Sequence, residues 1–325
     1  FGIMGTGAWG TALAVATQRS GRHVKMWGRD ADTATALSSG RGNPTYLPDI
    51  QLPPIEASTD PAILADSDAI LAVIPAQGLR PALTEAAAHI ARDTPVILCA
   101  KGIEQSSLKL MTQVLQETVP DARAAILSGP SFAHDVARGL PTAVTLACED
   151  EPLGQALVHA IGHTAFRPYW TNDLVGVEIG GAVKNVLAIA CGVVEGLELG
   201  RSAHAALLSR GFAEMRRLAV TLGAQDTTLS GLSGLGDLVL TCSSSQSRNM
   251  SFGIALGRGE LPHTVLASRR TVVEGAATAP AIAQLAKKHG VDMPICLAVA
   301  DILAEKITVD GAIKALLERP FKGEI

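Results

Sequence analysis

Phe1-Gly-Ile-Met4 runs directly into Gly5-Thr-Gly7-Ala8-Trp9-Gly10 and then into Thr11-Ala-Leu-Ala-Val-Ala-Thr17, and this opening decides the fold class. A short apolar run, three glycines spaced G-x-G-x-x-G and an alanine-rich stretch spell strand, tight turn and helix, the context a dinucleotide fingerprint requires. Each glycine has its own task. Gly5 permits the turn, Gly7 lets the backbone approach a pyrophosphate, and Gly10 lets the helix pack closely on the strand. The helix N-terminus then offers unpaired N–H groups to phosphate oxygens. Three glycines at these spacings are a weak pattern by themselves; lying between a strand and a helix gives them weight.

Working outward, a second strand over 23–27 ends at Gly28-Arg29-Asp30, about 20 residues past the glycines, where the adenine ribose is read. Both signs of charge stand there: Asp30 to accept from a 2′-hydroxyl, Arg29 to pair with a 2′-phosphate or stack on adenine. NAD and NADP are both admitted; the plain alternative is a pair of exposed turn charges. Apolar runs over 69–74, 95–100 and 124–127 end at Pro75, at Lys101 and at Ser128-Gly129-Pro130-Ser131. Helical stretches separate them, as in a parallel sheet covered on both faces. Ligands of such sheets bind beyond the carboxyl ends of the strands, where Pro75, Lys101 and Ser131 fall. Two more strands, over 142–147 and 166–170, complete the sheet, and strand signals stop at Thr171. The expected fold is α/β: a Rossmann-type doubly wound sheet over 1–171, followed by an all-α domain over 172–325.

Size and composition agree with two domains. The chain has 325 residues, more than the roughly 250–300 at which one core stops growing. With 47% hydrophobic and 18% charged residues, disorder is excluded. Mean hydropathy is +0.27, yet the longest apolar stretch, over 186–194, falls short of the ~18 residues of a bilayer span, so none is expected. Twenty-seven basic against 31 acidic residues give a net charge of −4 without a basic block. Only three Trp, two Tyr and six Phe are available for stacking, so no nucleic-acid partner is expected. The five cysteines are scattered, with no C-x-x-C, which suits a reducing compartment. They and the eight histidines show no metal-ligand spacing. Phe1 already reads as strand, leaving no room for a signal peptide and implying a few missing starting residues; cytoplasm is the expected location.

The helical half opens with Asn172 or Asp173 as the cap of a helix through Val175, Ile179, Val183, Val186, Ile189 and Val193, apolar nearly all round and hence buried. Lys184 and Asn185 lie inside it. A buried ammonium needs a partner or a task; the alternative is a lysine snorkelling to the surface. The glycines at 176, 180 and 181 offer little cover and favour a task. A second polar cluster, over 232–249, sets Gly234 and Gly236 just before Asp237 and leads through a hydroxyl-rich loop to Ser247-Arg248-Asn249. It supplies a counter-ion for a lysine and donors for a phosphate or carboxylate, or else it is a surface loop.

With Tyr46-Leu-Pro48, Lys101-Gly-Ile-Glu104, Ser128-Gly-Pro-Ser-Phe-Ala133, Val177-Glu-Ile-Gly-Gly-Ala-Val-Lys-Asn185, Gly234-Leu-Gly-Asp-Leu-Val-Leu-Thr241, Ser247-Arg-Asn249 and Val273-Glu-Gly275 in this order, the chain resembles bacterial NAD(P)-dependent glycerol-3-phosphate dehydrogenases nearly end to end. The resemblance implies Lys184 as proton acceptor, Asp237 as its partner and Lys101 as a second cation in the catalytic group. It implies contacts of Lys101, Gly129, Ser131, Lys184, Asn185, Asp237, Ser247, Arg248 and Asn249 with glycerol 3-phosphate or dihydroxyacetone phosphate. Around NAD or NADP it implies Gly5, Gly7, Ala8, Trp9, Gly10, Arg29, Lys101, Ala133, Arg248, Val272 and Glu274. It further implies a cytosolic homodimer supplying glycerol phosphate for phospholipid synthesis. Asp135 stands where the family usually has glutamate, and Ser202 where it has asparagine.

A lysine near pKa 10.4 is a poor base at neutral pH. Burial and Lys101 would have to depress it for oxidation, while Asp237 pulls the other way; reduction, which uses the ammonium, needs no large shift. The alternatives are another two-domain hydroxy-acid or phosphosugar dehydrogenase, or a nicotinamide-sensing regulatory protein without turnover.

Overall fold

The computed structural model describes residues 1–269, 271–321 and 323. Its first part alternates β1 (Gly2–Met4), α1 (Ala8–Arg19), β2 (Lys25–Trp27), α2 (Ala31–Ser38), β3 (Glu56–Ser58), β4 (Ile70–Ala72), α3 (Ala76–Ala86), β5 (Pro95–Leu98), α4 (Met111–Thr118), β6 (Arg123–Ser128), α5 (Ala133–Arg138), β7 (Thr142–Ala147), α6 (Glu151–Ile161) and β8 (Phe166–Thr171). The eight strands form one sheet in the order β3-β2-β1-β4-β5-β6-β7-β8. All neighbours are parallel except β6 and β7. The central strands are apolar throughout because both faces are covered: Leu13, Val136 and Leu157 of α1, α5 and α6 pack on one side, Leu79, Leu83 and Val114 of α3 and α4 on the other. Chain order reverses between β1 and its neighbours β2 and β4, and this switch point opens a crevice at the carboxyl ends.

Two features of the sheet were not expected. β3 has only three residues, none of them buried, so no apolar run marks it. The antiparallel β6/β7 pairing is invisible in a residue pattern that carries no strand direction.

The second part is helical among the described residues: α7 (Leu174–Gly196), α8 (Arg201–Thr221), α9 (Asp226–Leu229), α10 (Asp237–Cys242), α11 (Arg248–Gly257), α12 (Pro262–Ser268), α13 (Glu274–His289), α14 (Pro294–Leu303) and α15 (Val309–Leu317). Asp173, not Asn172, caps α7; its Oδ1 accepts from Gly176 N at 2.8 Å while Oδ2 accepts from Gln225 N at 2.9 Å. α7 is the axis around which α8, α10, α11, α13 and α14 pack. At 23 residues it is long and apolar enough, by length and composition, to cross a membrane, but 94% of its most apolar window is buried inside this fold. The sequence reading had broken that run at Lys184 and Asn185.

The α7–α11 contact is set by glycine. A Cβ on Gly192 would lie 2.2 Å from Met250 O, and one on Gly253 would lie 2.0 Å from Ile189 O. One turn further on, Gly196 and Gly257 face Ile254 O and Val193 O at 2.4 and 2.5 Å. Backbone atoms cannot rotate away, so this seam holds the two helices closer than larger side chains permit. The start of α11 is thereby fixed beside Lys184 and Asn185.

Candidate active site

The glycine turn separates two kinds of constraint. Gly5 has φ +114°, and a Cβ there would lie 2.4 Å from Val73 O; a Cβ on Gly10 would lie 2.0 Å from Gly5 O. Both are demanded by packing. A Cβ on Gly7 would touch none of the described residues within 4 Å, so packing does not explain that glycine, whereas close approach of a pyrophosphate to the N-terminus of α1 does. Ala8 and Trp9 open that helix, and the Trp9 indole N–H is shielded from solvent without a partner among the described residues. The residues present fit a dinucleotide.

Gly28 abuts the turn, since a Cβ there would lie 2.3 Å from Thr6 Oγ1, and this sets Arg29 and Asp30 beside it. Asp30 caps α2, accepting from Thr33 N at 2.7 Å, and that N–H holds its carboxyl below the usual range. Arg29 is exposed and makes no hydrogen bond or ion pair among the described residues, which leaves it the freer of the two to read a ribose substituent.

At the ends of β5 and β6 the chain turns toward α7. Lys101 Nζ donates to Asp237 Oδ2 at 2.7 Å and to Gly129 O at 3.1 Å. Lys184 Nζ donates to Asp237 Oδ1 at 2.6 Å and to Thr241 Oγ1 at 2.7 Å. One buried carboxylate, 1% exposed, thus holds two ammonium groups. An ammonium carries three N–H bonds, so each lysine retains one for a ligand. Burial lowers Lys184 to about 8, helped by the charge of Lys101 and opposed by Asp237.

Glycine again explains the approach. A Cβ on Gly180 would lie 2.7 Å from Ser233 O, and one on Gly181 would lie 3.3 Å from Lys101 Cγ. These two residues admit the π-helical turn Leu232–Gly236, which delivers Asp237, and the stem of Lys101. Thr241 was missed by the sequence reading, although one helical turn after Asp237 is where a second partner for Lys184 would stand.

A chain of amides joins the remaining residues. Asn185 Nδ2 donates to Lys101 O at 3.1 Å, Asn249 Nδ2 donates to Asn185 Oδ1 at 2.9 Å, and Gly275 N donates to Asn249 Oδ1 at 2.9 Å. Asn249 therefore has one amide N–H left for a ligand. Ser247 caps α11, accepting from Met250 N at 3.2 Å. Arg248 follows it; its guanidinium is exposed and makes no hydrogen bond or ion pair among the described residues, while its carbonyl accepts from Ser251 Oγ at 3.1 Å and Arg269 Nη1 at 3.2 Å. Ser131 Oγ donates to Gly129 O at 3.1 Å, and Ala133 opens α5. Glu274 at the start of α13 accepts from Ala76 N at 3.2 Å, and desolvation pushes its carboxyl up. Val272 is 49% exposed just before it. Asp135 lies in the first turn of α5, 3.9 Å from His134 Nδ1, and Ser202 is exposed at the start of α8.

A family model described as the N-terminus of NAD-dependent glycerol-3-phosphate dehydrogenase matches residues 1–153, and one described as its C-terminus matches residues 173–314. The NAD(P)+ glycerol-3-phosphate dehydrogenase of Maricaulis maris is 60% identical over 321 residues, 98% of this chain and 96% of its own. The chain belongs to the NAD-dependent glycerol-3-phosphate dehydrogenase family. Its relative in Caulobacter vibrioides is 58% identical over 99% of this chain and 98% of its own. Among solved structures, glycerol-3-phosphate dehydrogenase from Coxiella burnetii superposes with a TM-score of 0.93 at 38% identity, covering 98% of both chains. D-mandelate dehydrogenase with NADH, 16% identical, shares the fold at a TM-score of 0.61 over 94% of this chain and 97% of its own.

Proposed function

We propose that the chain catalyses reversible hydride transfer between NAD(P)H and dihydroxyacetone phosphate, giving sn-glycerol 3-phosphate, with residues 1–171 as the cofactor half and 172–325 as the substrate half. The observation that carries this reading is the pair of lysines, one just past the end of β5 and one on α7, that share Asp237, each with an N–H to spare. When bound, the nicotinamide cofactor supplies or accepts the hydride.

The chain's own residues do the rest. Gly7 and the N-terminus of α1 hold the pyrophosphate, Arg29 reads the adenosine end, and Ala8, Trp9, Ala133, Val272 and Glu274 border the remainder. The Lys184 ammonium gives its free proton to the carbonyl oxygen in reduction and takes it back, as the neutral amine, in oxidation. With Lys184 at about 8, the ammonium predominates at neutral pH and favours reduction; oxidation gains as pH rises through that value. Lys101 supports the developing oxyanion with a second fixed cation. Asp237 holds both amines, with Thr241 also on Lys184 and Gly129 O on Lys101, without consuming their last N–H. Arg248 offers the phosphate a guanidinium fork, and the α11 N-terminus, Ser247 and the remaining N–H of Asn249 add donors. That grip turns binding energy remote from the reacting carbon into orientation there. Asn185 orients the segment carrying Lys101, and Gly129 and Ser131 complete the wall. The reading extends to a cytoplasmic homodimer that feeds glycerophospholipid synthesis.

The test is loss of nicotinamide absorbance with dihydroxyacetone phosphate and NADH or NADPH in turn, run beside 6-phosphogluconate and small hydroxy acids. Turnover with the triose phosphate is expected. Turnover only with another substrate would move the protein to a sister activity, and tight NADH binding without turnover would make it a sensor.

A further inference from the structure

One buried carboxylate at the junction of sheet and helices takes no part in that chemistry. Glu178 lies on α7, six residues before Lys184, and is 4% exposed. Its Oε1 accepts from Thr112 N and its Oε2 from Thr112 Oγ1, each at 2.9 Å. Thr112 stands in the first turn of α4, whose own N-cap residue is Leu110, a side chain with no oxygen to offer. Glu178 therefore supplies from the helical part the acceptor that α4 lacks. Burial pushes its carboxyl up to about 7, opposed only by hydrogen bonds from Thr112 and Met111. An unpaired carboxylate is costly to bury.

The segment between Lys101 and Thr112 is braced. Glu104 takes Arg80 Nε and Nη2 on its two oxygens at 2.8 Å each and also the Ser107 hydroxyl, while Gln77 Nε2 donates to Ile103 O at 2.8 Å. A ring of contacts then closes: Glu178 to Thr112, along the braced segment to Lys101, through Asp237 to Lys184, and back along α7.

We infer that Glu178 is a positioning residue that clamps α7 to the start of α4 and so keeps Lys184 in register with Lys101 and the cofactor side of the crevice. The inference rests on the proposed role of Lys184 as proton donor. The groups assigned to phosphate start α11 and those assigned to pyrophosphate start α1, and neither set touches Glu178. Loss of the clamp therefore misplaces the proton donor and leaves both grips intact.

A second buried carboxylate provides the control. Glu214 of α8, 1% exposed, accepts from Ile295 N at 2.7 Å and Cys296 N at 3.0 Å at the start of α14, wholly within the helical part, and burial pushes it to about 7 as well. Glu178→Ala and Glu214→Ala each remove one such cap, whereas Glu178→Gln would keep an oxygen for Thr112 N and offer its NH2 to Thr112 Oγ1. Melting temperature, NADH affinity, and kcat and KM for dihydroxyacetone phosphate are measured for both variants and for wild type.

Both variants are expected to melt earlier. Only Glu178→Ala is expected to lose kcat, by about 10- to 100-fold, the scale of an ångström's misplacement, with KM and NADH affinity within about twofold. A kcat that falls no further than in Glu214→Ala, or that falls in step with binding, overturns the inference. Should Glu178→Ala fail to fold, Thr112→Val keeps the N–H and removes the hydroxyl; the same split in smaller measure is expected, and an unchanged kcat overturns the inference. A wild type unable to reduce dihydroxyacetone phosphate would instead remove the proposed function on which the inference stands.

Discussion

Replacing Asp237 by asparagine tests how two cations share one carboxylate. Lys184 lies 2.6 Å and Lys101 2.7 Å from its oxygens. Burial and Lys101 pull Lys184 down to about 8, and Asp237 is the chief group pulling it back. An opposite charge at this range is worth about 1–3 pKa units, so Asp237→Asn should drop Lys184 to roughly 5–7. The protonated fraction near pH 7 then falls from about nine-tenths to between a half and a hundredth, slowing reduction by roughly twofold to a hundredfold from protonation alone. The assay is kcat for dihydroxyacetone phosphate reduction against pH. In wild type the rate declines as pH rises through about 8, where the ammonium is lost. In the variant that limb should move toward acid by about 1–3 units. A limb that stays put, or moves toward base, would refute the assignment of the titrating group. The variant should also lose about 3–5 kcal/mol of stability at neutral pH, the cost of stripping a counter-ion from buried charge.

Arg248→Ala should raise KM for dihydroxyacetone phosphate by about tenfold or more, the worth of charge-assisted hydrogen bonds, with kcat less affected; an unchanged KM in steady-state kinetics would move the phosphate elsewhere. Arg29→Ala should weaken NADPH by about tenfold or more while NADH changes little. Equal loss for both cofactors in binding titrations would show that the guanidinium only stacks on adenine.

Those residues were readable beforehand for particular physical reasons. The glycine turn announced itself because Gly5 and Gly10 leave no room for a side chain and stand between a strand and a helix. Lys184 stood out because a charge inside an all-apolar helix is expensive, and Asp237 because a lone carboxylate just after two glycines is its natural partner. What stayed hidden depends on pairs distant along the chain. Glu178 meets Thr112 and Gly192 meets Gly253 only after folding, and nothing in either segment names the other. Thr241 was hidden differently, as a hydroxyl in a short helix like many others. Asn249 shows the converse: its motif was legible, but not that two of its bonds, to Asn185 and Gly275, hold the site together.

The most direct test of the account is Lys184→Ala assayed for dihydroxyacetone phosphate reduction alongside NADH binding. Loss of the proton donor should lower kcat by about 10²- to 10⁴-fold, while cofactor affinity, set around the glycine turn, stays near wild type. Turnover close to wild type in a folded, NADH-binding variant would contradict the claim that this amine moves the proton.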